Sequence, residues 1–218
     1  MFLRAVMVLV GLDEQRVVRS LDTFALLDPH IIAETDASLS GVGVLIFRRC
    51  NGCDVFLGEG GADITKLEFG VDSSYQNLAE FTDAVLSLVC IVKLGLLREV
   101  QDSGFGLRDD SISSRIWMEK ERYRGSTVCN ASIAYTLLGL VYGTQVSKAD
   151  HISAASNYRT DSLSRLKKSG RSAAEDFIHL GFKDAAVVDL DGDADIQSLI
   201  GYMDPRYNMD TEDNFLLF

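Results

Sequence analysis

Four acidic residues occupy places in the sequence that solvation alone does not explain. Asp36 follows the apolar run His30–Thr35 and precedes a small turn. Glu80 lies among Leu78, Ala79 and Phe81. Asp110 closes a short apolar stretch and is followed by Ser111, and Asp161 comes four residues after Asn157. Carboxylates from four separate elements that meet in one place cannot all stay ionised without a counter-charge. With oxygen ligands only, and no cysteine or second histidine beside them, the cations that suit the set are Mg²⁺ or Mn²⁺ rather than zinc.

The elements that would carry these acids are legible as hydrophobic patterns. Residues 2–28 read as a helical lead-in, with Leu3, Val6, Leu9 and Val10 on one face, stopped by Pro29. His30–Thr35 is short and apolar enough for a buried strand, Asp36–Ser40 is a turn, and Val42–Arg48 is a second strand. Asn51-Gly52 is a strong hairpin signal, so Asp54–Leu57 returns as a third strand. Ile64–Phe69 reads as a further edge strand. Residues 76–97 keep the three- and four-residue spacing of a long helix through Leu78, Phe81, Val85, Leu88, Val89 and Val92. Phe105–Arg108 is a short strand, Ser111–Arg122 and Cys129–Tyr142 are helices, Thr144–His151 is a last strand, and Tyr158–Lys167 is a short helix. Hairpins first and alternation afterwards imply an α/β domain with a mixed sheet and helices on both faces.

Three strings frame the acids: TDASLSGVGVLIF (35–47), YQNLAEF (75–81) and HISAASNYRTDSLSR (151–165). In this order, and with these elements between them, they resemble the ribonuclease H domain of retroelement reverse transcriptases, in particular those of LTR and tyrosine-recombinase-type retrotransposons. The resemblance spans about residues 28–168 and touches all four positions of that family's Asp-Glu-Asp-Asp set. It implies a ribonuclease H-like fold, a five-stranded mixed sheet of order 3-2-1-4-5 flanked by helices. It implies that Asp36, Glu80, Asp110 and Asp161 bind two Mg²⁺ (or Mn²⁺) ions, with Asp36 shared between them. His151 would lie on a mobile loop near the scissile phosphate. Asn77 and Gln76 would face the minor groove and the ribose 2′-OH groups, with Ser111 and Asn157 as further substrate-side or supporting positions. Asp109, beside Asp110, is a second candidate for the third ligand. The activity implied is endonucleolytic hydrolysis of the RNA strand of an RNA–DNA hybrid, leaving 5′-phosphate and 3′-OH ends. The implied partners are that hybrid and a reverse-transcriptase polymerase domain, with residues 1–28 as a connector, 29–170 as the catalytic domain and 171–218 as an acidic C-terminal extension. The basic, Trp-rich loop that some members carry after the second helix has no counterpart here beyond Lys120, Arg122 and Arg124.

Composition sets the outer bounds. The 218 residues are 47% apolar and carry a net charge of −11. This is a globular composition, and the charge argues against a non-specific nucleic-acid glue. Residues 171–218 hold 3 basic and 11 acidic residues, a charge of −8 that leaves only −3 on the preceding 170. A polyanion can therefore approach the body. No apolar run is long enough for a membrane span, and the N-terminal apolar stretch is short for a signal peptide. The expectation is an intracellular protein, cytoplasmic or nuclear. Four cysteines are too few for a disulfide scaffold. Cys50-Asn-Gly-Cys53 has the spacing of a redox pair or half a zinc site, but Cys90 and Cys129 fall in apolar helices, and a hairpin turn accounts for the spacing. The aspartates at 189, 191, 193 and 195 lack the glycine position and closing Glu of a calcium loop, so they read as a solvated acidic loop. Two further functions compete with the nuclease: a weak or inactive scaffold of the same fold whose acidic tail docks on a basic partner, and a related DNA strand-transferase.

Overall fold

The computed structural model describes residues 28–65, 73–101, 103–112, 115–116, 126–165 and 186–207. The lead-in over 2–27, most of the edge strand expected at Ile64–Phe69 and most of the helix expected at Ser111–Arg122 lie outside them. The elements are β1 (Ile31–Ala37), β2 (Gly41–Cys50), β3 (Cys53–Asp63), α1 (Ser73–Lys93), α2 (Leu97–Val100), β4 (Phe105–Asp109), α3 (Cys129–Tyr142), β5 (Val146–His151), α4 (Tyr158–Ser164), β6 (Ala186–Asp189) and α5 (Ala194–Met203).

The strands form one mixed sheet of order β5-β4-β1-β2-β3-β6. β1, β2 and β3 run antiparallel as hairpins, while β4 joins β1, β5 joins β4 and β6 joins β3 in parallel. The expected order 3-2-1-4-5 is contained within it, but the count of five is corrected to six. The additional strand and α5 come from the acidic segment after residue 170. Lys93 pairs with Asp193, which also caps α5 by accepting from the amides of Asp195 and Ile196. Asp191 accepts from the amide of Asp63, and Asp189 from that of Gly192 at 2.8 Å. The acidic loop thus caps and docks β6 and α5 onto β3 and α1.

α1 packs on one sheet face, with α3 against α1 and α5 against α3. The main core lies there and includes Ile31, Val44, Ile46, Phe81, Leu88, Phe105, Leu138 and Ile200. α1 is covered on nearly its whole circumference, because it is sandwiched between the sheet and α3. It ends at Lys93 and not at 97, since Gly95 takes a left-handed φ of 74° and Leu96 bonds back to Ile91. On the opposite face α4 covers a smaller cluster of Ile32, Leu45, Phe47, Phe56 and Leu163.

α4 lies close to the start of β2 because positions 41 and 43 are glycines, with no side chain on that face. A Cβ on Gly41 would stand 2.6 Å from the Ser164 carbonyl oxygen. One on Gly43 would overlap the Thr160 carbonyl and stand 2.6 Å from Leu163 Cβ. Gly43 is the cross-strand partner of Asp36, so this contact sets the distance between α4 and the end of β1. Gly43→Ala should push α4 away and lower stability by about 1–3 kcal/mol, read as a drop in the urea midpoint at unchanged slope.

Candidate active site

β1 and β4 are parallel neighbours, and their carboxyl ends deliver Asp36 and Asp110 to the same edge of the sheet. Crevices outside the carboxyl ends of parallel strands are where open α/β sheets bind ligands. α4 brings Asp161 from one face, and α1 brings Glu80 from the other.

Asp36 is the most enclosed of the four. It is 7% exposed. Its Oδ2 accepts the Ser164 hydroxyl at 2.7 Å, and its Oδ1 faces the Asn157 amide at 3.4 Å. Burial pushes its carboxyl up to about 6. The Ser164 hydrogen bond opposes that rise, the charges of Asp110 and Asp161 add to it, and Arg165 offsets part of it. These couplings place Asp110 and Asp161 within electrostatic reach of Asp36. Asp161 itself is paired with Arg165 at 2.6 Å, one turn on.

Glu80 is joined to the group through hydrogen bonds. Its Oε2 accepts from the Ser111 hydroxyl, next to Asp110, and its Oε1 accepts from the Gln76 amide at 3.0 Å. The same amide donates to the carbonyl of Ala37 at 3.3 Å, which ties α1 to the end of β1. Asn157 donates to the Thr35 carbonyl at 3.0 Å and accepts from the Thr160 hydroxyl.

Several expected roles change accordingly. Gln76 has a substrate-side place in the expectation, and Ser111 and Asn157 a substrate-side or supporting one. The donors of all three are engaged with the acids and the adjacent backbone, which makes them positioning residues and agrees with the supporting role of Ser111 and Asn157. Asn77 is half-buried on the next position of α1 and is not among the residues bonded to the acids. His151 is not on a loop. It is exposed as the last residue of β5, in register with Asp109, and Ile152 N–H bonds the Asp109 carbonyl at 3.1 Å.

Beneath the acids lies a second polar layer that the sequence reading missed. Asp83, one turn after Glu80, is 0% exposed, and Asp109 is 1% exposed. Both share the α1 side of the sheet with Thr35. Asp109 accepts the Ser111 amide at 2.9 Å. The Thr35 hydroxyl faces Asp83 without closing a well-aligned hydrogen bond. Burial, with the charges of Asp109, Asp36 and Glu80, raises the Asp83 carboxyl well above its ordinary value, and Thr35 offsets little of it. Burial and these neighbours disfavour the ionised form. The signal available in the sequence was the one that singled out Glu80, an acid with apolar neighbours in a helix. Asp109 faces this layer, whereas it is the charge of Asp110 that acts on Asp36.

On the α4 side, two residues behind the acids, Glu34 and Arg108 form an ion pair at 3.5 Å that continues through Asp54 to Arg49. Burial raises the Glu34 carboxyl against the pull of Arg108. Burial works the same way on Asp54, but hydrogen bonds from Arg49 and Arg108 hold that carboxyl below its usual value.

The donor set suits a hard divalent cation, since it is all oxygen and carries an acid made costly to ionise by burial and by its neighbours. Among the described residues, no three His, Cys, Asp or Glu side chains already form a metal cage. Ser164, Arg165, Ser111 and Gln76 each hold one of the acids instead.

No family model matches the chain, and no curated protein does. Solved structures do resemble it. RNase H1 from the halophilic archaeon Halobacterium salinarum shares 18% sequence identity, with 65% of this chain and 98% of that chain covered and a TM-score of 0.46. LC11-RNase H1, solved in complex with an RNA/DNA hybrid, shares 20% identity over 65% of this chain and 99% of its own, with a TM-score of 0.49. A further structure of LC11-RNase H1, isolated from compost by a metagenomic approach, gives 18%, 66%, 100% and 0.46 for the same quantities. Likeness at this level fixes neither substrate nor chemistry. No described helix is long and apolar enough to cross a membrane.

The raised Asp36 carboxyl has a definite pH signature. Its folded value of about 6 lies above the ordinary 3.8. Its stabilising contribution is therefore complete below about pH 4 and is lost as pH rises through 6. In chelator-treated protein, the stability of wild type minus that of Asp36→Asn should fall by about 2–3 kcal/mol between pH 4 and pH 7. Denaturant titrations at a series of pH values measure it, and a flat difference would mean that Asp36 is not held out of water.

Proposed function

We propose that the chain is a ribonuclease H-like, metal-dependent endoribonuclease that cleaves the RNA strand of RNA–DNA hybrids and leaves 5′-phosphate and 3′-OH ends. The observation that carries this reading is the electrostatic coupling of Asp36 to Asp110 and Asp161, from three different elements at one sheet edge. Glu80 is linked to the same place through Ser111.

Asp36, Glu80, Asp110 and Asp161 would hold two Mg²⁺ or Mn²⁺ ions, which when bound supply Lewis-acid activation of a water and charge neutralisation at the phosphate. Ser164 and Asn157 orient Asp36, while Ser111 and Gln76 orient Glu80. Arg165 holds Oδ1 of Asp161 and offsets part of the negative charge around Asp36. Asn77 and His151 remain candidates for contacts with the hybrid and the departing product. Discrimination of RNA from DNA would come from contacts to 2′-OH groups, and little base preference is expected because sugar and phosphate contacts position without specifying. A retroelement origin, a polymerase domain as partner and an intracellular site of action belong to the same proposal, on the strength of the ordered motifs.

The Arg165–Asp161 pair and the absence of a ready cage among the described residues favour a second reading, a weak or inactive scaffold of the same fold. Incubation with labelled RNA–DNA hybrid, RNA duplex and DNA duplex, with Mg²⁺ or Mn²⁺, separates the two. The nuclease reading expects RNA cleavage in the hybrid alone, lowered more than about 100-fold by Asp36→Asn and about 10–100-fold by Ser164→Ala, which removes only a supporting bond. Wild type and Asp36→Asn equally inert on hybrid would leave the scaffold reading. Products from the DNA duplex alone would point to the strand-transferase.

A further inference from the structure

The β2–β3 hairpin turns through Asn51 and Gly52, both at positive φ (52° and 79°). Its register sets Cys50 directly opposite Cys53, and both thiols are exposed. Opposed residues of an antiparallel pair project to the same face, with Cα atoms about 4.5–5.5 Å apart. A disulfide spans about 4.4–6.8 Å between Cα atoms, so the pair is within bonding reach without any change of register. Cβ atoms of opposed residues lie about 4.5–5.5 Å apart, slightly wider than a relaxed disulfide sets them, so the bond closes by pinching the turn. Strained, exposed disulfides are the easily reduced ones. The Arg48 guanidinium lies within electrostatic reach of the Cys50 sulfur. No third His, Cys, Asp or Glu among the described residues completes a metal site with the pair. The chemistry is therefore that of the two sulfurs.

We propose that Cys50 and Cys53 are a modification site that forms a reversible disulfide across the hairpin turn by exchange with a low-molecular-weight disulfide, RSSR. One cysteine thiolate attacks RSSR, forms a mixed disulfide and releases RS⁻. The other attacks the cysteine sulfur of that mixed disulfide and releases the second RS⁻. The cysteines are oxidised, RSSR is reduced, and the two protons given up by the cysteines end on the released thiols. The inference is independent of the nuclease reading. Cys90, buried in α1 with its thiol pushed up to about 12 by burial, is inert to this exchange, and Cys129, exposed on α3, is the comparison thiol.

The full chain, equilibrated with graded ratios of reduced and oxidised glutathione, quenched with an alkylating reagent and digested, is read by mass spectrometry. The peptide carrying Cys50 and Cys53 should pass from doubly alkylated to internally bonded at ratios that leave Cys129 alkylated. Reduced glutathione should reverse the change, and Cys53→Ser should convert the product into a stable glutathione adduct on Cys50. The proposal is overturned if both cysteines stay alkylated across the whole range, carry separate adducts, or bond to a second chain.

Discussion

A buried carboxyl at the end of β1 governs this molecule, and it is buried because α4 lies against the sheet where β2 has only glycine. Gly41 and Gly43 leave room for the backbone of Thr160 and Ser164. That approach sets Ser164 and Asn157 on the two oxygens of Asp36 and brings Asp161 within electrostatic range. Removing water from a carboxylate is costly unless charge or hydrogen bonds replace it. One hydroxyl and one long amide contact are weak replacement, and the neighbouring acids make matters worse. The arrangement is poor as stabilisation, and under the proposed function a bound cation would favour the ionised form that burial disfavours.

The layer behind the acids follows the same logic. Thr35 and Asp109 are strand residues on the α1 face, and Asp83 reaches that face from the helix. A fully buried aspartate close to other acids is tolerable mainly as the neutral acid. Asp83 adds bulk and polarity behind Glu80 and Asp109, at a site where burial and its neighbours disfavour ionisation. On the α4 face the chain Glu34–Arg108–Asp54–Arg49 links β1, β4, β3 and β2 beside the smaller apolar cluster. Two residues further along β1 and past the end of β4 stand Asp36 and Asp110, so the ion pairs brace the strands that carry the site.

Local chemistry made much of this legible beforehand. The hairpin at Asn51-Gly52 needs positive φ, the long helix shows in apolar periodicity and β1 in the length of its apolar run, while β2, β4, α3, β5 and α4 match segments expected from the sequence. The extent of β3 did not show. The expected strand stops at Leu57, because Gly58–Asp63 is glycine-rich, but Ala186, Leu94, Cys90 and Leu190 occupy the space where side chains at 58 and 60 would stand. Tertiary packing overrides local propensity there. The acidic segment carried weak strand and helix signals at Ala186–Leu190 and Ile196–Tyr202, yet nothing local declares that β6 pairs in parallel with β3. Asp83 has the same apolar helical setting as Glu80 but lies outside the three strings that frame the acids. The hydrogen-bonding roles of Gln76, Ser111 and Asn157 depend on which element lies opposite, and a linear sequence does not carry that.

Carboxyl carbon NMR of Asp36, followed through pH with and without Mg²⁺, reads both the burial of this acid and its response to a cation. The midpoint should lie near 6 in metal-free protein, move well downward when Mg²⁺ is added and return on chelation. A midpoint at the ordinary aspartate value, unmoved by Mg²⁺, would contradict both expectations.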